Sequence, residues 1–176
     1  RQRTNRQIGR VETEGSAAAD ANVEKAVLRE AVLLQMTWNG APTVYYGDEA
    51  GVTGWTDPDN RRTYPWGRED MELIVFHKAA ISLRKEYPVL RHGSLKQLYG
   101  AYGVLAYGRF DEKEKILVAL NNTEEIRTVS IPVWQMGVQT EGTLQNCLMT
   151  NRDGFTVFGF SYPCLLYTSP SPRDST

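Results

Sequence analysis

Apolar positions fall into two rhythms along the chain. Val23, Ala26, Val27, Glu30, Ala31 and Leu34 recur at the three-and-four spacing of an amphipathic helix. Asp20 stands where an N-cap belongs, and Asn39-Gly40 supplies a stop near Trp38. A second helix is predicted from about Glu69 to Glu86, with Leu73, Phe76, Ala80, Leu83 and Tyr87 on one face. Glu69 and Asp70 favour its start through the helix dipole, and Pro88 stops it. Between the helices, Ala41–Tyr46 reads as a short buried strand, rich in β-branched and aromatic residues. Residues 50–68 then form a long loop with Gly51, Gly54, Pro58, Pro65 and Gly67, and loops of this length are usually functional. Residues 1–19, polar and small, read as loop. The order helix, strand, loop, helix is one step of an α/β layer or barrel.

After Pro88 the rhythm shortens. Residues 94–99, 103–110, 115–121 and 126–133 read as strands, joined by turns at Asp111–Glu114 and Asn121–Glu124. Leu144–Met149 and Phe155–Phe160 add two more. Short strands at this spacing predict an antiparallel β-sandwich, with the boundary near residue 90. No internal repeat is visible.

The run from Cys164 to Asp174 breaks this pattern, being rich in Ser and Pro. Its back-translation reads as a transposase-type sequencing adapter, so residues 164–176 are expected to be a non-native, poorly ordered tail and are excluded from fold reasoning. On that reading the β-domain, 91–163, is truncated. The alternative is a disordered natural tail.

Bulk properties narrow the classes. The formal net charge is −1, which gives no electrostatic footprint for nucleic acid. No apolar run approaches membrane-spanning length. The two cysteines, Cys147 and Cys164, form neither a disulfide framework nor a metal cluster, and no metal or other cofactor is predicted. His77 and His92, the two histidines, lie near no plausible nucleophile and read as surface or packing residues. The chain opens inside a polar stretch without an initiator Met.

The chemistry concentrates in Gly40-Ala41-Pro42-Thr43-Val44-Tyr45-Tyr46-Gly47-Asp48-Glu49-Ala50-Gly51 and in Asp57-Pro58-Asp59-Asn60-Arg61-Arg62-Thr63-Tyr64-Pro65-Trp66. Together these resemble the last barrel strand and following loop of glycoside hydrolase family 13, the α-amylase family. The patterns are G-x-P-x-x-Y-Y-G-D-E-x-G and D-P-x-x-R-x-x-x-P-W, matched in order and without a break. The loop is most similar to the neopullulanase, cyclomaltodextrinase and maltogenic amylase group. The resemblance implies a fold class: an α/β barrel fragment, the last strand and flanking helices of a TIM barrel in residues 1–90, followed by the antiparallel β-sandwich. The barrel strand would then lack both neighbours, leaving an unpaired edge.

The resemblance also implies site roles. Asp57 and Arg61 match the group's Asp and Arg that contact glucose hydroxyls on the non-reducing side of the cut bond. A carboxylate and a guanidinium suit hydroxyls, because charge-assisted hydrogen bonds are the strong ones. The alternative is a pair that only stiffens a proline-containing loop. Asp48 and Glu49 lie outside the family's catalytic trio and read as structural, with Arg61 or Arg62 as partner. Tyr45 and Tyr46 read as core packing. Trp66 reads as packed under the loop rather than stacked on a sugar.

A retaining glycosidase needs two carboxyl groups about 5 Å apart. In the family these lie on the fourth and fifth barrel strands, with a third Asp in a His-Asp motif after the seventh. None of these motifs is in the chain, so no catalytic residue is assigned. Thr4–Arg10 resembles the segment just after the His-Asp motif. The parent would be a retaining hydrolase or transglycosylase of α-1,4 or α-1,6 glucosidic bonds, acting on α-glucan or maltooligosaccharide. By resemblance it would be cytoplasmic, and a homodimer through an N-terminal domain absent here. A different class of reading is a non-catalytic carbohydrate-binding β-sandwich, using aromatics such as Tyr102, Tyr107, Phe110 and Trp134.

Overall fold

A computed structural model describes residues 14–21, 23–138, 143–158 and 161–163. The expected tail at 164–176 and the segment at Thr4–Arg10 lie outside them. The chain divides into two compact units. One comprises residues up to Glu24 together with Thr43–His77, the other Lys25–Pro42 together with residues from Lys78 onward.

In the second unit, helix α1 spans Lys25–Thr37, and Gly40 beyond it takes a φ of 97°, a stop only glycine makes cheaply. Asp20 is not its N-cap, because it closes a 3-10 turn at Ser16–Asp20 that replaces the expected loop. The buried face of α1 also differs from the expected one. Arg29, Val32, Met36 and Thr37 are buried, whereas Val23 and Val27 are exposed. Hydrophobic counting misplaces this face because two of its members are polar and fully bonded. Arg29 Nε donates to Thr150 Oγ1 at 2.8 Å and its Nη2 to the Asn151 carbonyl at 2.7 Å. The Thr37 hydroxyl meets the Tyr107 hydroxyl at 2.5 Å. Buried polar groups persist when paired in this way.

Helix α2 spans Met71–Glu86, close to its predicted range. Asp70 Oδ1 accepts the Leu73 N–H at 3.3 Å, satisfying one of the free first-turn donors. Leu73, Phe76 and Ala80 are buried, on the face the sequence marks. Pro88 ends the helix and initiates the single turn α3, Val89–His92, whose Val89 and Leu90 are buried.

Strands β1 (Ser94–Ala101), β2 (Val104–Phe110) and β3 (Lys115–Asn121) form an antiparallel meander in the order β1-β2-β3. Gln97 faces Tyr107 and Tyr99 faces Ala106, so Leu98 is the extra residue of a bulge. The central strand β2 is covered on both faces. Its Tyr107 and Arg109 point toward the end of α1, and Trp38 packs edge-on against Tyr107 at 5.0 Å between centroids. On the opposite face a Cβ at Gly108 would stand 1.9 Å from Met136 Sδ, so any side chain there would have to displace the end of Met136.

Two buried guanidiniums fix this corner. Arg84 donates to the carbonyls of Met36, Trp38, Leu90 and Gly40 at 2.7, 3.2, 2.9 and 2.5 Å. Arg109 donates to Thr37, Leu90 and Gly93 at 2.8, 2.9 and 2.9 Å. Carbonyls freed at the end of α1 are thereby satisfied by cations, which also suits the helix dipole. Burial lowers both guanidinium pKa values, and Arg84 adds to the effect on Arg109.

The expected strand at 126–133 does not form. The Asn121 amide and Thr123 hydroxyl both donate to the Glu125 carbonyl, and a 3-10 turn follows at Val133–Met136. These local bonds compete with a ladder. The run 144–149 splits into β4 (Thr143–Gln145) and β5 (Leu148–Asn151). β5 pairs with β6 (Gly154–Val157), and β4 with β7 (Ser161–Pro163), both antiparallel. The described residues thus hold three antiparallel sheets, of three, two and two strands.

Residues 41–46 form no strand, and Val44, Tyr45 and Tyr46 are exposed. No parallel pair occurs among the described residues. A barrel strand is defined by neighbouring strands that accept its backbone bonds, and no strand pairs with this segment among the described residues.

Candidate functional site

The site is built on the segment 43–66 of the first unit. Gly47 and Gly51, with φ of 91° and 78°, bracket a 3-10 turn at Asp48–Ala50. A Cβ at Gly47 would stand 2.7 Å from Val52 Cγ2, so the turn requires glycine on both counts. Glu49 Oε2 accepts the Gly47 N–H at 3.0 Å, and the Gly47 carbonyl accepts the Val52 N–H at 2.9 Å. Burial raises the Asp48 pKa, and the neighbouring Glu49 charge adds to this. Asp48 and Glu49 therefore shape the turn locally. Their expected partners do not reach them, because Arg61 and Arg62 turn to other carboxylates.

Arg62 is the hub of the loop. Its Nη1 meets Asp20 Oδ1 at 2.8 Å, and its Nη2 meets Asp59 Oδ2 at 3.1 Å and Ser16 Oγ at 2.9 Å. It also donates to the Ser16 carbonyl. Asp59 Oδ2 accepts the Trp55 N–H at 2.8 Å, and its other oxygen takes the Ser16 hydroxyl. The Thr53 hydroxyl donates to Asp20. Both carboxyl pKa values are lowered. For Asp20 the Thr53 bond is the main cause and Arg62 assists; for Asp59 the causes are Ser16, the Trp55 amide and then Arg62. The Arg62 Nε and Thr56 Oγ1 atoms are buried without a partner among the described residues. Sequence reading missed this network, because Arg62 sits 42 and 46 positions from Asp20 and Ser16. The adjacent Arg pair was the only local sign.

Asp57 and Arg61 stand outside the hub. Arg61 Nε donates to Asp57 Oδ1 at 2.5 Å, with side chains 67% and 59% exposed. The Arg61 N–H bonds the Pro58 carbonyl at 3.0 Å, closing the short turn that sets the pair side by side. The peptide bond between Asp57 and Pro58 is cis. The remaining guanidinium donors and the second Asp57 oxygen meet no other group among the described residues, so they are open to solvent.

The aromatics depart from expectation. Tyr45 and Tyr46 are 45% and 47% exposed, with rings tilted at 44° and centroids 4.8 Å apart. The Tyr46 hydroxyl donates to the Arg62 carbonyl at 2.9 Å. Trp66 is 80% exposed and leans on Tyr64 at 4.6 Å instead of packing under the loop. His77 is buried, with Nδ1 2.8 Å from the Leu73 carbonyl, and His92 is exposed. Among the described residues no cluster of His, Cys, Asp or Glu could hold a metal ion, and no helix is long and apolar enough to cross a membrane.

Comparison with known proteins follows the motif. The chain is 50% identical over 93 residues to an amylopullulanase of Thermoanaerobacter thermohydrosulfuricus, covering 53% of this chain and 6% of that protein. It is 37% identical over 120 residues to neopullulanase 2 of Thermoactinomyces vulgaris, covering 66% and 20%. The chain is homologous with α-amylase-family glycoside hydrolases. No protein-family profile matches it. The debranching enzyme of Nostoc punctiforme superposes with a TM-score of 0.63 at 26% identity, over 84% of this chain and 30% of that one. The α-amylase of Geobacillus thermoleovorans, solved with acarbose, gives a TM-score of 0.63 at 31% identity over 70% and 27%. The chain spans a fifth or less of the length of the curated relatives it matches.

Proposed function

We propose that this chain is the substrate-contacting C-terminal part of a retaining α-glucan hydrolase or transglycosylase. In that reading Asp57 and Arg61 bind glucose hydroxyls of an α-1,4- or α-1,6-linked maltooligosaccharide on the non-reducing side of the cut bond. The observation that carries it is the exposed Asp57–Arg61 pair, held side by side with unspent donors and acceptors. Hydroxyls offer both a donor and an acceptor, so one sugar can bridge the two ions. The acarbose complex of a structural neighbour agrees with such a ligand.

Residues 1–90 belong, on this proposal, to the end of a (β/α)8 barrel, and residues 91–163 to a truncated sandwich domain. The parent acts in the cytoplasm. Residues 1–176 alone carry no nucleophile and acid/base pair in the family pattern, so they hydrolyse nothing. A stand-alone carbohydrate-binding sandwich is less well supported. Tyr107 is fully buried, and Tyr102, 97% exposed, is a lone ring at the β1–β2 turn.

Two measurements test the proposal. The purified chain is assayed on maltodextrin, cyclodextrin and pullulan, where turnover would overturn the inactive-fragment reading. Binding of maltoheptaose is then compared between the chain and its Asp57→Ala and Arg61→Ala variants. Each variant is expected to weaken binding about tenfold, the loss of roughly one charge-assisted bond. Equal binding by all three would remove these residues from the site.

A further inference from the structure

In Asn39-Gly40 and Asp153-Gly154 a residue able to close a succinimide ring precedes glycine, whose unhindered backbone nitrogen is the attacking atom. The fold treats the two dipeptides oppositely. The Gly154 N–H is spent, donating to Asn151 Oδ1 at 3.1 Å in the β5–β6 turn, and the Asp153 N–H donates to the same oxygen at 3.0 Å. Gly40 is open. Its N–H meets no acceptor among the described residues, and a Cβ built on it would meet nothing within 4 Å. Asn39 is exposed, and its side-chain amide meets no partner among the described residues. The position of this dipeptide is set within the second unit, because Arg84 of α2 holds the carbonyls of Trp38 at 3.2 Å and Gly40 at 2.5 Å.

We propose that Asn39 of this chain is a deamidation site and that its isoaspartyl product breaks the grip of Arg84. The Gly40 nitrogen gives up its proton and bonds to Asn39 Cγ. The Cγ–Nδ2 bond then breaks, and ammonia leaves carrying that proton. Water opens the ring at one of its two carbonyls, leaving aspartate or isoaspartate. The balance is one water consumed and one ammonia released, with no oxidant or cofactor. Isoaspartate routes the main chain through Cβ, so one more carbon separates the Trp38 and Gly40 carbonyls. A guanidinium is a rigid planar fork and cannot spread to follow them. Arg84 also bonds the Met36 and Leu90 carbonyls, so the damage falls on the corner that joins α1 to α3.

The 176-residue chain is aged in mildly alkaline buffer, folded and in urea, and peptide mapping with isoaspartyl methyltransferase labelling follows both dipeptides. Folding is expected to leave the rate at Asn39 within about threefold of the unfolded chain, and to slow Asp153 about tenfold or more, the effect of a bonded amide that must first open. A slowing at Asn39 as large as that at Asp153 would overturn the site. The second half is read by urea unfolding of the separated isoaspartyl fraction. Its midpoint is expected about 1 M below that of fresh chain, as for the loss of one charged hydrogen bond. Asn39→Gln keeps the amide but cannot close a five-membered ring, so it is expected to match fresh wild type before and after ageing. An isoaspartyl fraction that unfolds at the midpoint of fresh chain would overturn the effect on Arg84.

Discussion

Replacing Arg109 with methionine probes the corner that holds the second unit together. Arg109 is fully buried, and among the described residues it meets carbonyls and no carboxylate. Three close bonds would be lost, each contributing about 1.5–3 kcal/mol because the donor is charged. The Leu90 carbonyl keeps its bond from Arg84 at 2.9 Å, so the Thr37 and Gly93 carbonyls, and the Ser94 carbonyl held more weakly at 3.4 Å, lose their bonds from this side chain. Against this, methionine no longer carries the desolvation cost of a buried guanidinium, which is several kcal/mol. The balance is a destabilisation of about 3 kcal/mol. Arg109→Lys should fall between, since a single ammonium cannot reach carbonyls that the forked guanidinium spans. Urea unfolding followed by far-ultraviolet circular dichroism reads this out. With a slope of about 1–3 kcal/mol/M, the midpoint should drop by about 1–3 M. A change under about 0.5 kcal/mol, or a gain in stability at unchanged slope, would refute the view that these bonds outweigh the desolvation cost.

The loop hub makes a pH prediction. Asp20 and Asp59 have lowered pKa values, so their contribution is complete above the ordinary carboxylate value near 3.8 and is lost as pH falls through their folded values. The protection of the Trp55 amide against hydrogen exchange, its rate relative to the unstructured chain at the same pH, should be high at pH 5 and fall below pH 3.8, because Asp59 accepts that amide; Arg62→Ala should lower it at every pH, and unchanged protection in that variant would show that the hub does not hold the loop. Gly93→Ala should cost about 2–3 kcal/mol, because its Cβ would meet the Val89 carbonyl at 2.6 Å, while Gly108→Ala should cost less, since the clash is with the flexible end of Met136. Thermal unfolding of the two variants ranks them, and the reverse order would refute the backbone argument. Trp66→Ala should alter stability by under about 0.5 kcal/mol and remove the emission most open to acrylamide quenching, as befits a ring 80% exposed; protected emission would contradict that exposure.

What the sequence determined by itself is local. The span and buried face of α2, the meander β1-β2-β3 and the stop at Gly40 follow from periodicity, proline and glycine, whose effects act within a few residues. The two motifs, and with them the link to α-amylase-family enzymes, were equally legible, because a motif is itself a local pattern. Tertiary structure decided everything that depends on a distant partner. Arg29 lies on the buried face of α1 because Thr150 and Asn151 come to meet it. Arg62 governs the loop because Ser16 and Asp20 do. Tyr45, Tyr46 and Trp66 stand open because burial is a property of what covers a side chain, not of the side chain. A run of β-formers at 41–46 likewise became a strand only on paper, since a ladder exists only where a second chain segment accepts its hydrogen bonds.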